Sequence, residues 1–238
     1  MKRQIWRLAA LVVICGLALQ LFFALRVAAM VLVDPQSSAF QRSEAWRLLV
    51  EQHTISWSQD WVPRARLGTN IQRAVIASED AGFTEHSGVE WDAIEQAWER
   101  NQRAEARFEA GRSKAVKIRG GSTITQQLAK NLLLSGERTA LRKAQELAIT
   151  MMLEAFLSKE RILEIYLNNV EWGEGVFGAQ AAARHYFRTD ALQLSATQAA
   201  RLAVMLPAPK RFEKRANSGY VAGRAQTIVA RMGAVELP

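Results

Sequence analysis

Cysteine is almost missing from this 238-residue chain. The lone Cys15 lies inside an apolar run, so neither an intramolecular disulfide nor a cysteine metal site can form. Alternating β-branched runs longer than a few positions are also lacking, which argues against a sheet-based fold. No zinc spacing, RNP-type motif or basic helix with base-reading residues occurs, and nucleic acid is not an expected partner. Neither an internal repeat nor a low-complexity tract is present. What remains is 49% apolar and 23% charged, ordinary for a globular chain and unlike a disordered one. The length suits one domain with an appendage and excludes two large domains.

Acidic residues are absent from 1–33, where Lys2, Arg3, Arg7 and Arg26 supply half of the net charge of +8. The modest remaining excess suits an anionic surface or a phosphate-bearing ligand. From Leu8 to Leu25 the run LAALVVICGLALQLFFAL has Gln20 as its one strongly polar member, and VAAMVLV continues it beyond Arg26. At about 1.5 Å per residue this reaches the ~30 Å of a bilayer core, with Arg26 able to snorkel. The basic flank predicts a cytoplasmic N-terminus and an outside location for everything after Val33. A cleaved signal peptide is the alternative, disfavoured by the long core and the lack of an A-x-A site. The expected division is therefore an anchor over 1–33 and the main domain over 34–238.

Helical spacing of apolar residues predicts helices over 89–109, 122–134, 138–157, 159–169, 195–206 and 218–232. Ser158, the pair Ser195 and Gln198, and Asn217 are the expected N-terminal caps. Residues 34–75 read as a connecting region with short helix, and Gly173, Gly175 and Gly178 as a loop. The basic stretch 101–121 reads either as a membrane-facing loop or as a solvated helix face. The fold class is mainly α.

Three segments carry groups able to do chemistry. In ASEDAGFTEHSGVEW, Glu79 and Asp80 stand near Phe83, His86 and Gly88, and repulsion plus burial would make one carboxyl a general base. Taken alone, such a pair is as well explained as a helix-end feature. In RGGSTITQQLAKN, glycines precede Ser122, and Thr123, Gln127 and Lys130 share one helix face, a cradle for phosphate or sugar oxygens or simply a polar face. In the third, Arg142 and Glu146 form an i,i+4 pair that reads as an exposed surface pair, beside a buried stripe of Leu141, Ala144, Ala148, Met151 and Ala155. Gly173 to Gly178 also fits G-x-G-x-x-G, but a helix is expected before it and Gln198 stands where a dinucleotide site needs an acid, so that reading is rejected.

In this order the segments resemble the peptidoglycan glycosyltransferase family, also called the penicillin-binding-protein transglycosylase family. Glu79, Asp80, Phe83, His86 and Gly88 match E-D-x-x-F-x-x-H-x-G; Gly120 to Asn131 match G-G-S-T-x-T-Q-Q-x-x-K-N; Arg142, Lys143 and Glu146 match R-K-x-x-E. Arg161 to Asn168 and Gly178 to Phe187 are similar to two later motifs. The S-x-x-K, S-x-N and K-T-G set of a transpeptidase is lacking, so the resemblance is to the monofunctional, single-pass type of Gram-negative bacteria.

The resemblance implies a lysozyme-like domain of two lobes around a cleft, with an apolar part pressed into the outer leaflet of the inner membrane. It implies polymerisation of lipid II onto a lipid-linked growing glycan chain, with β-1,4 bonds formed by inversion and undecaprenyl diphosphate released. Glu79 would be the general base and Glu146 the carboxylate near the leaving diphosphate. Lys130 and Arg142 would neutralise the diphosphate, and Asp80, Phe83, His86, Ser122, Thr123 and Gln127 complete the implied binding set, with His86 expected to brace the loop. A divalent cation such as Mg²⁺ would travel with the diphosphate, with no protein metal cage and no organic cofactor. Other cell-wall synthesis proteins are implied partners. The competing readings are a lysozyme-like enzyme that cuts glycan strands and a non-catalytic wall scaffold.

Overall fold

A computed structural model describes residues 2–91, 95, 99, 102, 121–137 and 139–238. The predicted helix over 89–109 and the basic stretch 101–121 fall largely outside them. Helix α1 (Lys2–Ala29) is the apolar run, 28 residues with only Phe23 and Val27 buried. It is long and apolar enough to cross a membrane.

Residues 34–75 are more ordered than their sequence suggests. Helix α2 (Ala39–Gln52) opens with a capping box in which Ser38 accepts from the Gln41 amide and Gln41 returns the bond. A two-residue strand β1 (Ser58–Gln59) and a short helix α3 (Arg64–Leu67) lead to α4 (Thr69–Glu79). Then come α5 (Ile124–Leu133), α6 (Ala140–Phe156) and α7 (Lys159–Asn169), within two residues of expectation. Ser158 caps α7 as anticipated.

The glycine run is a hairpin and not a plain loop: β2 (Glu171–Gly173) and β3 (Val176–Phe177) pair antiparallel, and β1 adds to β3 in parallel. A strand, where a helix was expected, thus precedes the glycines. It belongs to a hairpin, so no βαβ dinucleotide unit results. Gly175 takes φ +71, and a Cβ there would fall 2.0 Å from the Ser56 carbonyl, so the crossing of β1 requires glycine. Gly178 caps α8 (Ala179–Phe187), followed by a 3₁₀ turn (Ala191–Gln193), α9 (Ala196–Met205), α10 (Pro209–Glu213) and α11 (Gly219–Met232). The cap of α11 is Ser218, whose hydroxyl accepts from the Val221 amide, and not Asn217.

Two groups of helices share one core. Helix α4 packs on α9 and α11, while α5 packs on α6, α7 and α2. Ile71, Val75, Ile124, Leu128, Ile149, Ile165 and Leu202 lie at its centre. Helix α1 rests on α6, and Phe23 and Val27 near its end join the core, with Met30 just after it. The chain is mainly helical.

The predicted stripe of α6 is a correction. Its buried residues are Glu146, Ile149, Thr150 and Leu153, whereas Leu141 is 82% exposed and Met151 40%. Helical spacing marks both faces as apolar enough to bury, and the buried one carries Glu146 together with Ile149, Thr150 and Leu153.

Candidate active site

Helix α4 ends at Glu79, and the loop after it is held by Asp80. One Asp80 oxygen lies 2.8 Å from His86 Nε2 and the other accepts the Ile124 amide at 2.9 Å. Because His86 Nδ1 accepts the Gly88 amide at 3.0 Å, the ring proton sits on Nε2 and donates to Asp80. Gly88, at φ +83, passes its carbonyl to the Thr123 hydroxyl at 2.6 Å. Phe83 is fully buried, with Lys159 Nζ 4.6 Å above its ring. Asp80, Phe83, His86 and Thr123 therefore brace the Glu79 loop against α5.

Thr123 is the N-cap of α5: its hydroxyl accepts from the Gln126 amide while Gln126 bonds back. With Asp80 on the Ile124 amide, the helix start that the sequence offered to a phosphate already holds a carboxylate. Ser122, just before the cap, and Lys130, within α5, are exposed, and Gln127 turns its amide nitrogen to Glu79 Oε2 at 2.9 Å. Burial pushes the Glu79 carboxyl above its ordinary range, opposed by the hydrogen bonds from Gln127 and Ser78 and reinforced by the Asp80 charge.

Glu146 is not the surface residue its spacing implied. It is 3% exposed and takes Arg142 Nη1 on one oxygen at 2.8 Å and Lys143 on the other. Arg142 Nε is buried and finds no hydrogen-bond partner among the described residues, so the guanidinium keeps donor capacity. Lys143 matches the R-K-x-x-E motif, and its contact with Glu146 emerges only in the fold.

These groups border a cavity of about 490 Å³, lined among others by Ser122, Gln127, Lys130, Asn131, Arg142, Lys143, Glu146 and Glu171. Glu79 connects to that wall through Gln127. At the other end, beside Phe40 and Pro207, stands Glu171, a residue absent from the sequence reading. Burial raises its carboxyl to about 7, with the Lys210 ammonium, 3.7 Å away, opposing. Its only local signal was a charged residue in the first strand of a hairpin. In the first of the later motifs, Asn168 bonds both the amide and the carbonyl of Val62, and Arg161 joins Asp34 and Glu164.

Carboxylates of contrasting environment, set around a cleft with exposed cations and amides, define an enzyme that works on sugar or phosphate oxygens. The comparisons give the family: a transglycosylase model matches residues 49–233, and the chain belongs to that family. The biosynthetic peptidoglycan transglycosylase of Paraburkholderia xenovorans is 51% identical over 99% of this chain and 94% of its own length. The Burkholderia thailandensis protein of the same name is 56% identical over 93% and 83%, and that of Herminiimonas arsenicoxydans 47% over 100% and 99%. The chain is a glycosyltransferase that polymerises peptidoglycan glycan strands.

Proposed function

We propose that the donor is a glycan chain carried on undecaprenyl diphosphate and the acceptor is lipid II. The Glu79 carboxylate takes the proton of the acceptor 4-hydroxyl. That oxygen attacks the anomeric carbon as the bond to the diphosphate breaks and the bonding pair leaves with the diphosphate. An α-linkage becomes β-1,4, and the two carboxylates keep separate tasks, as in inverting sugar chemistry. Glu146 works at the diphosphate end by holding Arg142 and Lys143, with Lys130 and Ser122 on the same cavity wall.

The observation that carries this reading is the pairing of a desolvated Glu79 with a cation cluster gathered on a buried Glu146. Among the described residues no group of three His, Cys, Asp or Glu side chains could hold a metal. A divalent cation such as Mg²⁺ would be held by the diphosphate oxygens, adding charge neutralisation to that of the lysines and arginine. The basic flank of α1 supports a single-pass anchor with a cytoplasmic N-terminus in the inner membrane. The domain would then meet its lipid-linked substrates at the outer face, beside other cell-wall synthesis proteins.

The test is to incubate detergent-purified protein with labelled lipid II and Mg²⁺ and to resolve products by length. Long, lysozyme-sensitive glycan is expected, and none from Glu79→Gln. Normal polymer from a folded Glu79→Gln variant would sink the assignment of the base. Cleavage of finished peptidoglycan without synthesis would point to a hydrolase.

A further inference from the structure

Both ends of the Gln127 carboxamide are engaged. Its nitrogen donates to Glu79 Oε2 at 2.9 Å, and its oxygen accepts from the Tyr166 hydroxyl at 2.9 Å. A carboxamide has nearly the same shape after a flip, so only its partners decide which end faces which. Tyr166 stands on the buried face of α7, 1% exposed, and its hydroxyl gives its proton to Gln127. We propose that Tyr166 is a positioning residue for the general base: by donating to the oxygen of Gln127 it fixes the amide with N–H toward Glu79, and so keeps that carboxylate ionised in the cleft. This rests on the reading of Glu79 as the base.

The logic is one of donors and acceptors. An ionised carboxylate only accepts, so it needs the nitrogen end of Gln127. Without the phenol, the Gln127 oxygen loses its donor at a partly buried position on the cavity wall, where water replaces it only in part. A flip would turn that oxygen to Glu79, where only a protonated carboxyl can satisfy it. The neutral acid gains, and the base is ionised over a narrower range.

The other groups that face Glu79 do not replace this contact. Ser78 lies 3.5 Å from Glu79 Oε1, and Asp80 adds a like charge while its own oxygens are engaged by His86 and Ile124. Lys130, Arg142, Lys143 and Glu146 line the cavity beyond Gln127. Burial and the charges of Glu79 and Asp80 push the Tyr166 phenol far above its usual range, so it stays a donor throughout an enzyme assay.

The experiment is the pH profile of kcat/KM for polymerisation by the full chain in detergent, which reports the free enzyme's base. In Tyr166→Phe the acid limb is expected at higher pH than in the parent, with the loss near the acid end roughly threefold or more greater than at the alkaline end. Replacing Tyr166 by 3-fluorotyrosine keeps the shape and strengthens the donor, and should move the limb to lower pH. That second variant carries the test if Tyr166→Phe melts early. Acid limbs that superimpose on the parent in every folded variant would overturn the proposal. If Glu79→Gln is inactive at the same time, the base reading survives alone; if Glu79→Gln polymerises normally, both fall.

Discussion

Glu146 and Glu171 line one cavity and Glu79 reaches its wall through Gln127; the side chains are identical, and their neighbours place them in different environments. Glu146 receives two cations; Glu79 is desolvated but receives an amide; Glu171 is desolvated with Lys210 at 3.7 Å, a cation it shares with Glu44. Since burial raises the Glu171 carboxyl from 4.5 to about 7, the folded protein holds its proton more tightly than the unfolded chain does. Stability from this group is therefore undiminished below about pH 4.5, declines as pH rises, and is at its lowest above about 7. The cost at pH 8 is on the order of 3 kcal/mol. Glu171→Gln should melt higher than the parent at pH 8, with the gain shrinking toward pH 4.5. Equal gains at both pH values, or a loss at pH 8, would show that the carboxylate is not strained. The pairings behind these states were invisible in the sequence, because Glu171, Glu44 and Lys210 are far apart along the chain.

At the scale of elements, legibility did not follow length: α5 and α9, of 10 residues each, were read from the sequence, whereas α2 and α4, of 14 and 11, were not. Helices α5, α6, α7, α9 and α11 keep a regular apolar face, and α7 and α9 begin at the serines that the sequence marks as caps. In α2 the Ser38 and Gln41 capping box was present but unread, because exposed Trp46 and Leu49 blur the apolar stripe. Strands of two or three residues are too short to show alternation. The motif residues were found, but their mutual contacts needed the fold: the Asp80 carboxylate accepts the Ile124 amide and Thr123 caps α5, neither of which a line of letters shows. Gly178 shows how an element start is fixed. Its φ is +83, and a Cβ would lie 2.8 Å from the Asn168 carbonyl. Gly178→Ala should cost roughly 3 kcal/mol, about 6–12 °C in Tm. Gly223→Ala, in α11 with nothing within 4 Å of the added carbon, should instead raise Tm slightly. Similar small changes in both variants would remove the special status of the α8 start.

Across the whole molecule, the apolar helix and the catalytic domain are one packed body. Phe23, Val27 and Met30 are buried at 8%, 0% and 4% exposure in the common core. Gln20 and Gln145 exchange two amide hydrogen bonds, of 2.7 and 3.1 Å, between α1 and α6. Arg161 Nε donates to the Met30 carbonyl at 2.9 Å. Since α6 also carries Arg142, Lys143 and Glu146, the anchor rests on the helix that gathers the cleft's cations. Burying such side chains contributes roughly 1.5–3 kcal/mol each. A chain that begins at residue 31 should therefore melt well below the full chain in the same detergent, by about 10 °C or more. One that begins at residue 19 keeps Gln20, Phe23, Val27 and Met30 and should melt close to the full chain. If the shorter chain melted like the full one, α1 would be a tether and not part of the core. If both truncated chains melted early, the apolar residues before Gln20 would be contributing stability that their exposure does not account for.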